Sequence, residues 1–393
     1  MIVAGIMSGT SADGIDVALV RLSGRGANIR MRLLAHEHRD YAPAVRKAVL
    51  AAMNAQAAGV AGLARLNRLL GELYAEALAF TLKKHTGDKP ELIGCHGQTL
   101  YHQDTPMNYL GRKINCTWQT GESALLAVRS GIPVVSDFRP ADMAVGGRGA
   151  PLVPFLDYVV YRHARRIRVL QNIGGIGNFT FIPAGASPQE VVAFDTGPGN
   201  MVIDACTELL FGKRYDADGR YAARGEIIEG ALNLALKHPF FSRKPPKTAG
   251  REEFGREFVA KFLRWCGRGA KKEDVIATAT ALTARSIGDA LREIMAQKNL
   301  ALPQKGKNRK VACDYIVSGG GAHNRALLRM IQAEIAPLGF EIMKSDQLGL
   351  PAEAKEAAAF ALLAYQSWHR RPGNLPSATG ASRPAILGKI TYA

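Results

Sequence analysis

The sequence has no apolar run of the roughly 20 residues that a membrane-spanning helix needs. Its opening segment has no basic stretch ahead of an apolar one, and Asp13 and Asp16 interrupt it before a signal-length apolar run can develop. We therefore expect a cytoplasmic protein that does not have a membrane as a partner.

Cysteine is scarce, with five residues in a chain of 393. The five are scattered, and they form neither a CxxC pair nor a cysteine and histidine spacing that would suit zinc. We expect reduced thiols in the core, at Cys95, Cys116, Cys206, Cys266 and Cys313.

Acidic residues are outnumbered: 34 Asp and Glu stand against 51 Lys and Arg, which gives a formal charge of +17. Such an excess invites an anionic partner, either nucleic acid or an acidic small molecule. The basic runs at 163–168, 243–247 and 305–310 lack interleaved aromatic residues and any recognisable nucleic-acid motif. We therefore expect a solvated basic surface and no nucleic-acid partner.

The length exceeds that of one ordinary hydrophobic core and suits two domains. Hydrophobic residues make up 47% and charged residues 22%, as in a typical globular protein. We place domain I at 1–135 plus about 369–393, and domain II at 136–368.

A glycine-rich turn between two apolar segments opens the chain. Residues 2–7 are apolar, 8–14 read SGTSADG, and 15–22 are rich in Val, Ile and Leu, which predicts strand, turn, strand. Walker and dinucleotide-binding loops pass from a strand into a helix, so neither motif fits. Backbone N–H groups and hydroxyls of such a turn can still bind phosphate, and the alternative is an ordinary hairpin turn.

The same arrangement returns in the second half, where 169–182 read VLQNIGGIGNFTFI. Two glycine hairpins, each opening one half, indicate a duplicated architecture. We predict that the two turns face each other across a cleft and hold a polyphosphate from both sides.

Helical patterns lie at 64–85, 121–130, 201–211, 273–295 and 352–368, and short apolar runs at 92–95 and 132–135. This alternation predicts an α/β fold with mostly parallel sheets, in which ligands bind at the strand ends.

Polar residues follow several of these strands. Asp195, after the apolar run 191–194, can remove a proton from an attacking oxygen or hold magnesium through water, unless it only tethers its loop. The glycines of SGGG at 318–321 suit either a nucleotide or close packing. Asp13 and Asp16 flank the first turn and are further candidates for magnesium, or solvated turn carboxylates.

Two more groups carry donors and acceptors for hydroxyl and carboxylate groups. Asp137, Arg139 and Asp142 precede a rigid Gly/Pro loop at 146–154 and form either part of a sugar site or a surface ion-pair cluster. His96 and Gln98 follow the run 92–95 and are either sugar contacts or structural residues.

These motifs, in this order, resemble those of the anhydro-N-acetylmuramic acid kinases: MSGTSADGID, HGQT, DFRPADMAVGGRGAPLVP, NIGGIGNFT, FDTGPGNMVID, PPKTAGRE and VSGGGAHN. With LPSATGAS near the end, the resemblance covers essentially the whole chain. That family is part of the sugar kinase, Hsp70 and actin superfamily. The resemblance therefore implies a two-domain actin-like ATPase fold with the active site in the interdomain cleft.

The resemblance also implies a reaction. With ATP and Mg²⁺, such a kinase opens the 1,6-anhydro bridge of anhydro-N-acetylmuramic acid with water and phosphorylates the sugar, giving N-acetylmuramic acid 6-phosphate and ADP in peptidoglycan recycling. It implies Asp195 as the catalytic base and a homodimer, while Asp13 and Asp16, from their place beside the first turn, remain the candidates for holding the metal through water. ATP contacts are implied at Gly9, Thr10, Ser11, Ala12, Asp13, Gly14, Ile15, Asp16, Gly174, Gly175, Gly177, Asn178, Gly319, Gly320 and Gly321, and sugar contacts at His96, Gln98, Asp137, Arg139 and Glu356.

The chain departs from the family pattern in three places. Arg148 stands where Gln is more common, Ala12 where Leu is usual, and 248–250 read TAG in place of STG. Arg148 adds charge near the implied sugar site, which would suit a lactyl carboxylate. Two alternatives remain open: another small-molecule kinase of the superfamily, since a fold does not fix a substrate, and a non-catalytic ATPase module.

Overall fold

The computed structural model describes residues 1–87, 89–300, 312–345 and 349–393. The predicted basic run at 305–310 lies outside the described residues. The chain forms two compact units. Unit 1 comprises Met1–Val160, Ser187–Gln189 and Gly349–Ala393, and unit 2 comprises Tyr161–Ala186 and Glu190–Leu348.

The strands, in chain order, are β1 (Ile2–Ser8), β2 (Gly14–Ser23), β3 (Arg30–Asp40), β4 (Leu92–Tyr109), β5 (Arg112–Thr120), β6 (Val134–Ser136), β7 (Arg166–Ile173), β8 (Ile176–Ile182), β9 (Val192–Pro198), β10 (Ala312–Ser318), β11 (Phe340–Lys344) and β12 (Lys389–Thr391).

The α-helices are α1 (Pro43–Ala52), α2 (Val60–Lys84), α3 (Ser123–Ser130), α4 (Phe138–Ala144), α5 (Pro154–Tyr161), α6 (Met201–Phe211), α7 (Glu229–Leu236), α8 (Arg251–Phe254), α9 (Arg256–Cys266), α10 (Lys272–Gln297), α11 (Arg325–Ile335), α12 (Lys355–Trp368) and α13 (Pro376–Thr379). Short 3-10 helices lie at Gly26–Asn28, Pro188–Glu190, Ala217–Gly219, Ala222–Arg224, Gly320–His323 and Ala336–Leu338.

The sheet of unit 1 has the order β12-β6-β4-β1-β2-β3, and β5 pairs with β4. Strands β1, β2 and β3 form an antiparallel meander, whereas β4 lies parallel to β1 and β6 parallel to β4. The predicted strand, glycine turn and strand at the start of the chain are confirmed as β1 and β2.

The sheet of unit 2 has the order β11-β10-β7-β8-β9. Here β7, β8 and β9 form the antiparallel meander, and β10 and β11 add on the other side as parallel strands. Each unit therefore repeats one scheme, with a hairpin meander on one side of its first strand and parallel strands on the other. The predicted duplication and the predicted two-domain α/β architecture are confirmed.

The prediction of mostly parallel sheets is wrong. Among the described strands, antiparallel pairs outnumber parallel ones, because each unit begins with two successive hairpin connections. A hairpin joins neighbours in opposite directions, and only the later strands of each unit arrive through helical crossovers.

Helix α12 lies directly on the sheet of unit 1, and its residues 357–367 are buried. Two glycines of the sheet permit this contact. A Cβ placed on Gly5 would overlap the carbonyl oxygen of Ala357, and one on Gly94 would overlap that of Phe360. The backbone of α12 can therefore approach β1 and β4 more closely than any side chain would allow.

The structure places the domain boundaries elsewhere than the predicted divisions at 135/136 and 368/369. Helices α3 and α4 and nearly all of α5 belong to unit 1, and so does α12. The physical reason is the burial of α12 against β1 and β4, which a boundary drawn after 368 would separate.

Helix α10 forms the centre of unit 2. Residues on several of its faces are buried, from Val275 to Met295, so it packs in two clusters at once. One cluster joins α10 to the sheet through Phe179 and Phe194, and the other joins it to α6, α7 and α9 through Phe240 and Phe262. Burial of such large side chains contributes about 1.5–3 kcal/mol each.

Other predicted elements lie within a few residues of the observed ones. The short strand predicted at 92–95 is longer, because β4 continues through 96–99 and forms a projecting hairpin with β5.

Cys95, Cys206 and Cys266 are buried as predicted, but Cys116 lies exposed on this hairpin. None of the helices in the described ranges combines the length and the apolar character that crossing a bilayer requires.

Replacement of Gly5 tests the packing of α12. Because the new methyl group of Gly5→Ala would overlap the backbone of α12, we expect a loss of about 1–3 kcal/mol in the free energy of unfolding, measured by urea denaturation followed by circular dichroism. The control is Gly62→Ala in α2, where a Cβ meets no atom within 4 Å. That variant should gain up to about 1 kcal/mol. A Gly5→Ala protein as stable as the wild type would contradict the proposed close contact.

Candidate active site

The turn between β1 and β2 is compact and glycine-rich. The amide of Ala12 donates to the carbonyl of Gly9 at 3.1 Å, and Ala12 is buried with a φ of 50°, in the left-handed region. Ser11 Oγ donates to Asp13 Oδ1 at 2.8 Å. Thr10 and Ser11 are exposed, so their hydroxyls and the neighbouring amides can bind an anion. The predicted ATP residues 9–16 thus lie in one turn and the start of β2.

Gln98 supports this turn from beneath. Its Nε2 donates to the carbonyl of Gly9 at 3.1 Å, and its Oε1 accepts from Ser8 Oγ at 2.6 Å. The side chain is fully buried because Gln98 lies beside Ser8 in the parallel pair of β1 and β4. The predicted contact between Gln98 and a sugar does not fit this position, and the structure gives the residue a supporting role.

Asp16 is held by two histidines of β3. Its Oδ1 lies 3.0 Å from both His36 Nε2 and His38 Nδ1. Burial alone would raise the pKa of Asp16, but these two hydrogen bonds outweigh it, and the pKa lies below its ordinary value. Asp16 is therefore ionised, with one oxygen already engaged, while Asp13 is exposed at the turn.

The half-buried Arg139 and the buried His96 form a hydrogen-bonded pair. Burial lowers the pKa of His96 far below its ordinary value, and the charge of Arg139 lowers it further. The imidazole is therefore neutral: its Nδ1 donates to the carbonyl of Gly97 at 2.8 Å, and its Nε2 accepts from Arg139 Nε at 3.0 Å. Arg139 also donates to the carbonyl of Gly149 at 2.8 Å, which fixes the guanidinium in place.

Glu356 lies in the first turn of α12 and joins this group electrostatically. Loss of solvent raises the pKa of its carboxyl, an effect that Arg139 opposes and the carboxylates of Asp16 and Asp13 reinforce. The side chain of Glu356 nevertheless remains exposed to solvent. The structure therefore brings the first glycine turn and three predicted sugar residues, His96, Arg139 and Glu356, into one region of unit 1.

Asp142, which the sequence also suggested, has a structural role. Its Oδ2 accepts from the amide of Gly149, and its Oδ1 accepts from Asn374 Nδ2 and Thr379 Oγ1 at 2.6 and 2.7 Å. The carboxylate is completely buried and ties the C-terminal segment to the glycine loop at 146–149.

Asp137 lines a cavity of about 440 Å³ in unit 1, near the ends of β5 and β6. It adopts a φ of 56° and forms an ion pair with Lys389 at 2.7 Å. Several polar residues of this cavity were not predicted as site residues: Asn67, Thr117, Gln119, Thr120, Glu122 and Ser123. The signal that could have found all of these except Asn67 is the polar segment TWQTGES at 117–123, which surrounds Gly121 at the end of β5.

In unit 2, the predicted turn at 174–177 is tied to the loop at 197–200. The amide of Asn200 donates to the carbonyl of Gly174 at 2.7 Å. The amides of Gly199 and Met201 donate to the carbonyl of Gly175 at 2.9 and 3.0 Å. Because α6 begins at Met201, the N-terminus of this helix lies against the turn, and the positive end of a helix dipole favours an anion.

The glycines of SGGG lie against the same turn. Gly319 has a φ of 81°, and a Cβ there would lie 2.6 Å from Asn172 Oδ1 and 2.8 Å from the carbonyl of Ile173. A Cβ on Gly321 would overlap the side chain of Ile173. The predicted residues Gly174, Gly175, Gly177, Asn178, Gly319, Gly320 and Gly321 therefore lie around the end of β7 and the start of β8.

Asp195 lies at a β-bulge. In the pairing of β8 with β9, Gly177 is opposite Gly197 and Asn178 is opposite Asp195, so Thr196 is the extra residue. The predicted position at the carboxyl end of a strand is therefore wrong, because β9 continues to Pro198. Bulges occur often beside active sites, where they redirect a side chain.

The environment of Asp195 suits a general base. The amide of Ala249 donates to Asp195 Oδ2 at 2.8 Å, and the amide of Asp195 donates to the carbonyl of Lys247 at 3.0 Å. Burial raises the pKa of Asp195 to about 6, with the Ala249 hydrogen bond opposing and Glu252 adding to the shift. The carboxylate is thus ionised near neutral pH, yet basic enough to accept a proton.

A profile of the family described as anhydro-N-acetylmuramic acid kinase matches residues 1–393. The chain belongs to the anhydro-N-acetylmuramic acid kinase family. A relative of that name from Bacillus cereus (strain AH187) is 41% identical over 100% of this chain and 99% of its own length. Another, from Caldanaerobacter subterraneus subsp. tengcongensis, is 42% identical over 99% of this chain and 96% of its own.

Solved structures resemble the chain more distantly. The activator of the 2-hydroxyisocaproyl-CoA dehydratase from Clostridium difficile, with bound ADPNP, is 12% identical, covers 93% of this chain and 94% of its own, and has a TM-score of 0.40. A ROK family glucokinase from Streptomyces griseus, in complex with glucose and AMPPNP, is 13% identical, with coverages of 93% and 100% and a TM-score of 0.38. At these TM-scores the likeness supports no further conclusion.

Membership of the anhydro-N-acetylmuramic acid kinase family confirms the predicted family and the predicted enzyme class. A member of this family is a kinase, with a small-molecule substrate and ATP as its phosphoryl donor.

Substitution of Gly319 tests the nucleotide contacts predicted in unit 2. Gly319→Ala would strain a left-handed backbone and collide with Asn172, so we expect ATP to bind about tenfold more weakly. Isothermal titration with a non-hydrolysable ATP analogue measures this. Gly230→Ala in α7, where a Cβ meets no atom within 4 Å, is the control. Equal affinity in both variants would remove 319–321 from the nucleotide site.

Proposed function

We propose that the protein is an ATP-dependent kinase that opens the 1,6-anhydro ring of anhydro-N-acetylmuramic acid and phosphorylates the sugar. The products are N-acetylmuramic acid 6-phosphate and ADP, in peptidoglycan recycling. The single observation that carries this proposal is Asp195, a carboxylate with a pKa of about 6, held at a bulge by the amide of Ala249.

The chemistry needs such a base. As the oxygen of water bonds to the anomeric carbon C1, the bond from C1 to the bridging O6 breaks, and O6 bonds to the γ-phosphorus while ADP leaves. The proton that water loses passes to Asp195 and then to solvent. A positioned general base contributes typically 10²- to 10⁴-fold to such a step, and a base with a pKa close to the working pH is the most effective.

For ATP, we assign the turn at 9–16 in unit 1 and the residues Gly174, Gly175, Gly177, Asn178 and Gly319–Gly321 in unit 2. The assignment of the first turn rests on its exposed hydroxyls and its backbone amides. The assignment of the second group rests on the N-terminus of α6 and on the glycines around the end of β7. That the two turns face each other across a cleft stays a prediction from the sequence.

For the sugar, we assign His96, Asp137, Arg139 and Glu356. Arg139 is the natural partner for the lactyl carboxylate, because a guanidinium presents paired donors to a carboxylate. Burial lowers the pKa of Arg139 to about 10, so it stays charged at neutral pH. Its bonds to His96 and Gly149 hold the group ready for a ligand, which lowers the entropic cost of binding.

The residues present would hold magnesium only together with phosphate oxygens of the nucleotide. Within the described residues, no three side chains of His, Cys, Asp or Glu are grouped to hold a metal ion. Magnesium bound with ATP usually takes one or two carboxylates together with phosphate oxygens and water. Asp13 is the better candidate because Asp16 already shares an oxygen with two histidines. When bound, the ion would neutralise charge on the phosphates.

The remaining expectations stay predictions. They are the homodimer, the cytoplasmic location and the absence of a nucleic-acid partner. Another small-molecule kinase activity is the alternative function, and a panel of sugars with ATP separates the two.

The pKa of Asp195 predicts a pH dependence. A base must be deprotonated to work, so kcat/KM should fall as the pH drops below about 6, by about tenfold per pH unit. Because the charge of Glu252 raises this pKa, Glu252→Gln should move the acid limb to lower pH. Glu257→Gln, an exposed change on the neighbouring helix α9, is the control. Superimposable profiles for the Glu252→Gln and wild-type enzymes would contradict this account of the acid limb.

Asp195→Asn tests the role of the base directly. We expect turnover to fall by at least about 10²-fold while ATP binding remains, since the amide keeps the shape but cannot accept the proton. Mass spectrometry of the product formed in oxygen-18 water should show the label at C1 and the phosphate on O6. The control is Asp218→Asn, an exposed carboxylate paired with Arg220. Normal product formation by Asp195→Asn would exclude Asp195 as the base, and an unlabelled product would exclude attack by water.

A further inference from the structure

We infer that Gln119 recognises the acetamido group of the sugar, by accepting a hydrogen bond from its N–H. This assignment rests on the proposed function and adds to it a residue that determines specificity. Gln119 lies on β5, lines the 440 Å³ cavity of unit 1 together with His96 and Asp137, and is 9% exposed.

The first observation is an unsatisfied atom. Within the described residues, Oε1 of Gln119 is buried and has no hydrogen-bond partner. A buried acceptor without a partner carries the full cost of its lost hydration. A hydrogen-bond donor on a molecule bound in the cavity that Gln119 lines would remove that cost.

The second observation shows that Oε1, and not Nε2, is the atom of the Gln119 amide that lacks a partner. Nε2 of Gln119 lies 2.8 Å from Thr117 Oγ1 and 3.2 Å from Thr99 Oγ1. It can donate one hydrogen to each hydroxyl, whereas an oxygen in its place would need both hydroxyl hydrogens. Thr117 Oγ1 also lies 3.0 Å from His102 Nδ1, and burial lowers the pKa of His102, so a neutral ring can accept the hydrogen of Thr117. Thr117 then accepts from Gln119, and Oε1 remains as the acceptor.

The third observation concerns charge. Every charged side chain in the described lining of the cavity already has a partner. Glu122 accepts from the amide of Ala124 and from Asn67 Nδ2, and Asp137 forms its ion pair with Lys389. His96 is neutral. A carboxylate or phosphate would find no unpaired cation here, so the cavity fits the neutral part of the substrate.

An acetamido group meets these requirements, because it is neutral and carries one N–H donor. The lactyl carboxylate is left for Arg139, outside the lining of this cavity. Gln119 is therefore assigned to recognition of the amide, and Thr117 and His102 are positioning residues that hold its orientation.

The test compares two substrates and two variants. Gln119→Met keeps the length of the side chain but removes the acceptor. We expect its KM for anhydro-N-acetylmuramic acid to rise about tenfold, with the KM for ATP unchanged. For an analogue in which a hydroxyl replaces the acetamido group, the KM values of wild type and variant should differ far less, because this analogue lacks the N–H group that binds Oε1. The control is Gln103→Met, on the same hairpin, where the amide bonds to the carbonyls of Thr105 and Ile114.

Each outcome decides something. Suppose that the wild type turns over the sugar, and that the ratio of the KM for the hydroxyl analogue to the KM for the acetamido sugar is the same in Gln119→Met as in the wild type. This assignment is then overturned and the proposed function stands. If the wild type does not turn over the sugar, both fall. Should Gln119→Met not fold, Gln119→Leu replaces it: this variant also lacks the acceptor and should lose the preference for the acetamido substrate, and an unchanged preference would overturn the assignment.

Discussion

Three backbone hydrogen bonds between the turn at 174–177 and residues 199–201, where the loop at 197–200 enters α6, organise the candidate site of unit 2. They run from the amides of Gly199, Asn200 and Met201 to the carbonyls of Gly174 and Gly175. Because they involve only main-chain atoms, they bring the start of α6, the hairpin of β7 and β8, and the bulge of β9 together without depending on any side chain. Glycine is required at Gly199, where a Cβ would overlap the carbonyl of Gly174. The position of Asp195 follows from this arrangement, since it lies two residues before the loop.

The two units use one strand scheme and support their first turns differently. In unit 1 the turn at 9–14 rests on side chains, with Gln98 and Ser8 bonded beneath it. In unit 2 the turn at 174–177 rests on backbone, and Gln171 bonds to the carbonyl of Asn178 and to Tyr315 on the neighbouring strand. A buried polar network specifies one geometry only when every member is satisfied, so changes beneath the turn of unit 1 should be poorly tolerated.

Much of the fold could be predicted because its signals are local. Apolar runs that end in glycine turns gave both hairpins, and α6 was predicted at its observed bounds. What could not be predicted depends on contacts distant in sequence. The burial of α12 against Gly5 and Gly94 moved a domain boundary, and the parallel register that places Gln98 beside Ser8 removed a presumed sugar contact. The bulge at Thr196 and the amide of Ala249 are likewise invisible in a linear pattern, since neither depends on residue type.

The close contact between Gly5 and α12 has a consequence for catalysis. Ala357, whose carbonyl faces Gly5, is the residue next to Glu356. The contact with β1, a central strand of the sheet, therefore fixes the position of the Glu356 carboxylate relative to the turn at 9–14. Glu356 is thereby placed with the rigidity of the core, although it is exposed to solvent. A methyl group added deep in the sheet would displace an acidic group at the surface, so a core substitution at Gly5 would alter how the enzyme handles its substrates as well as its stability.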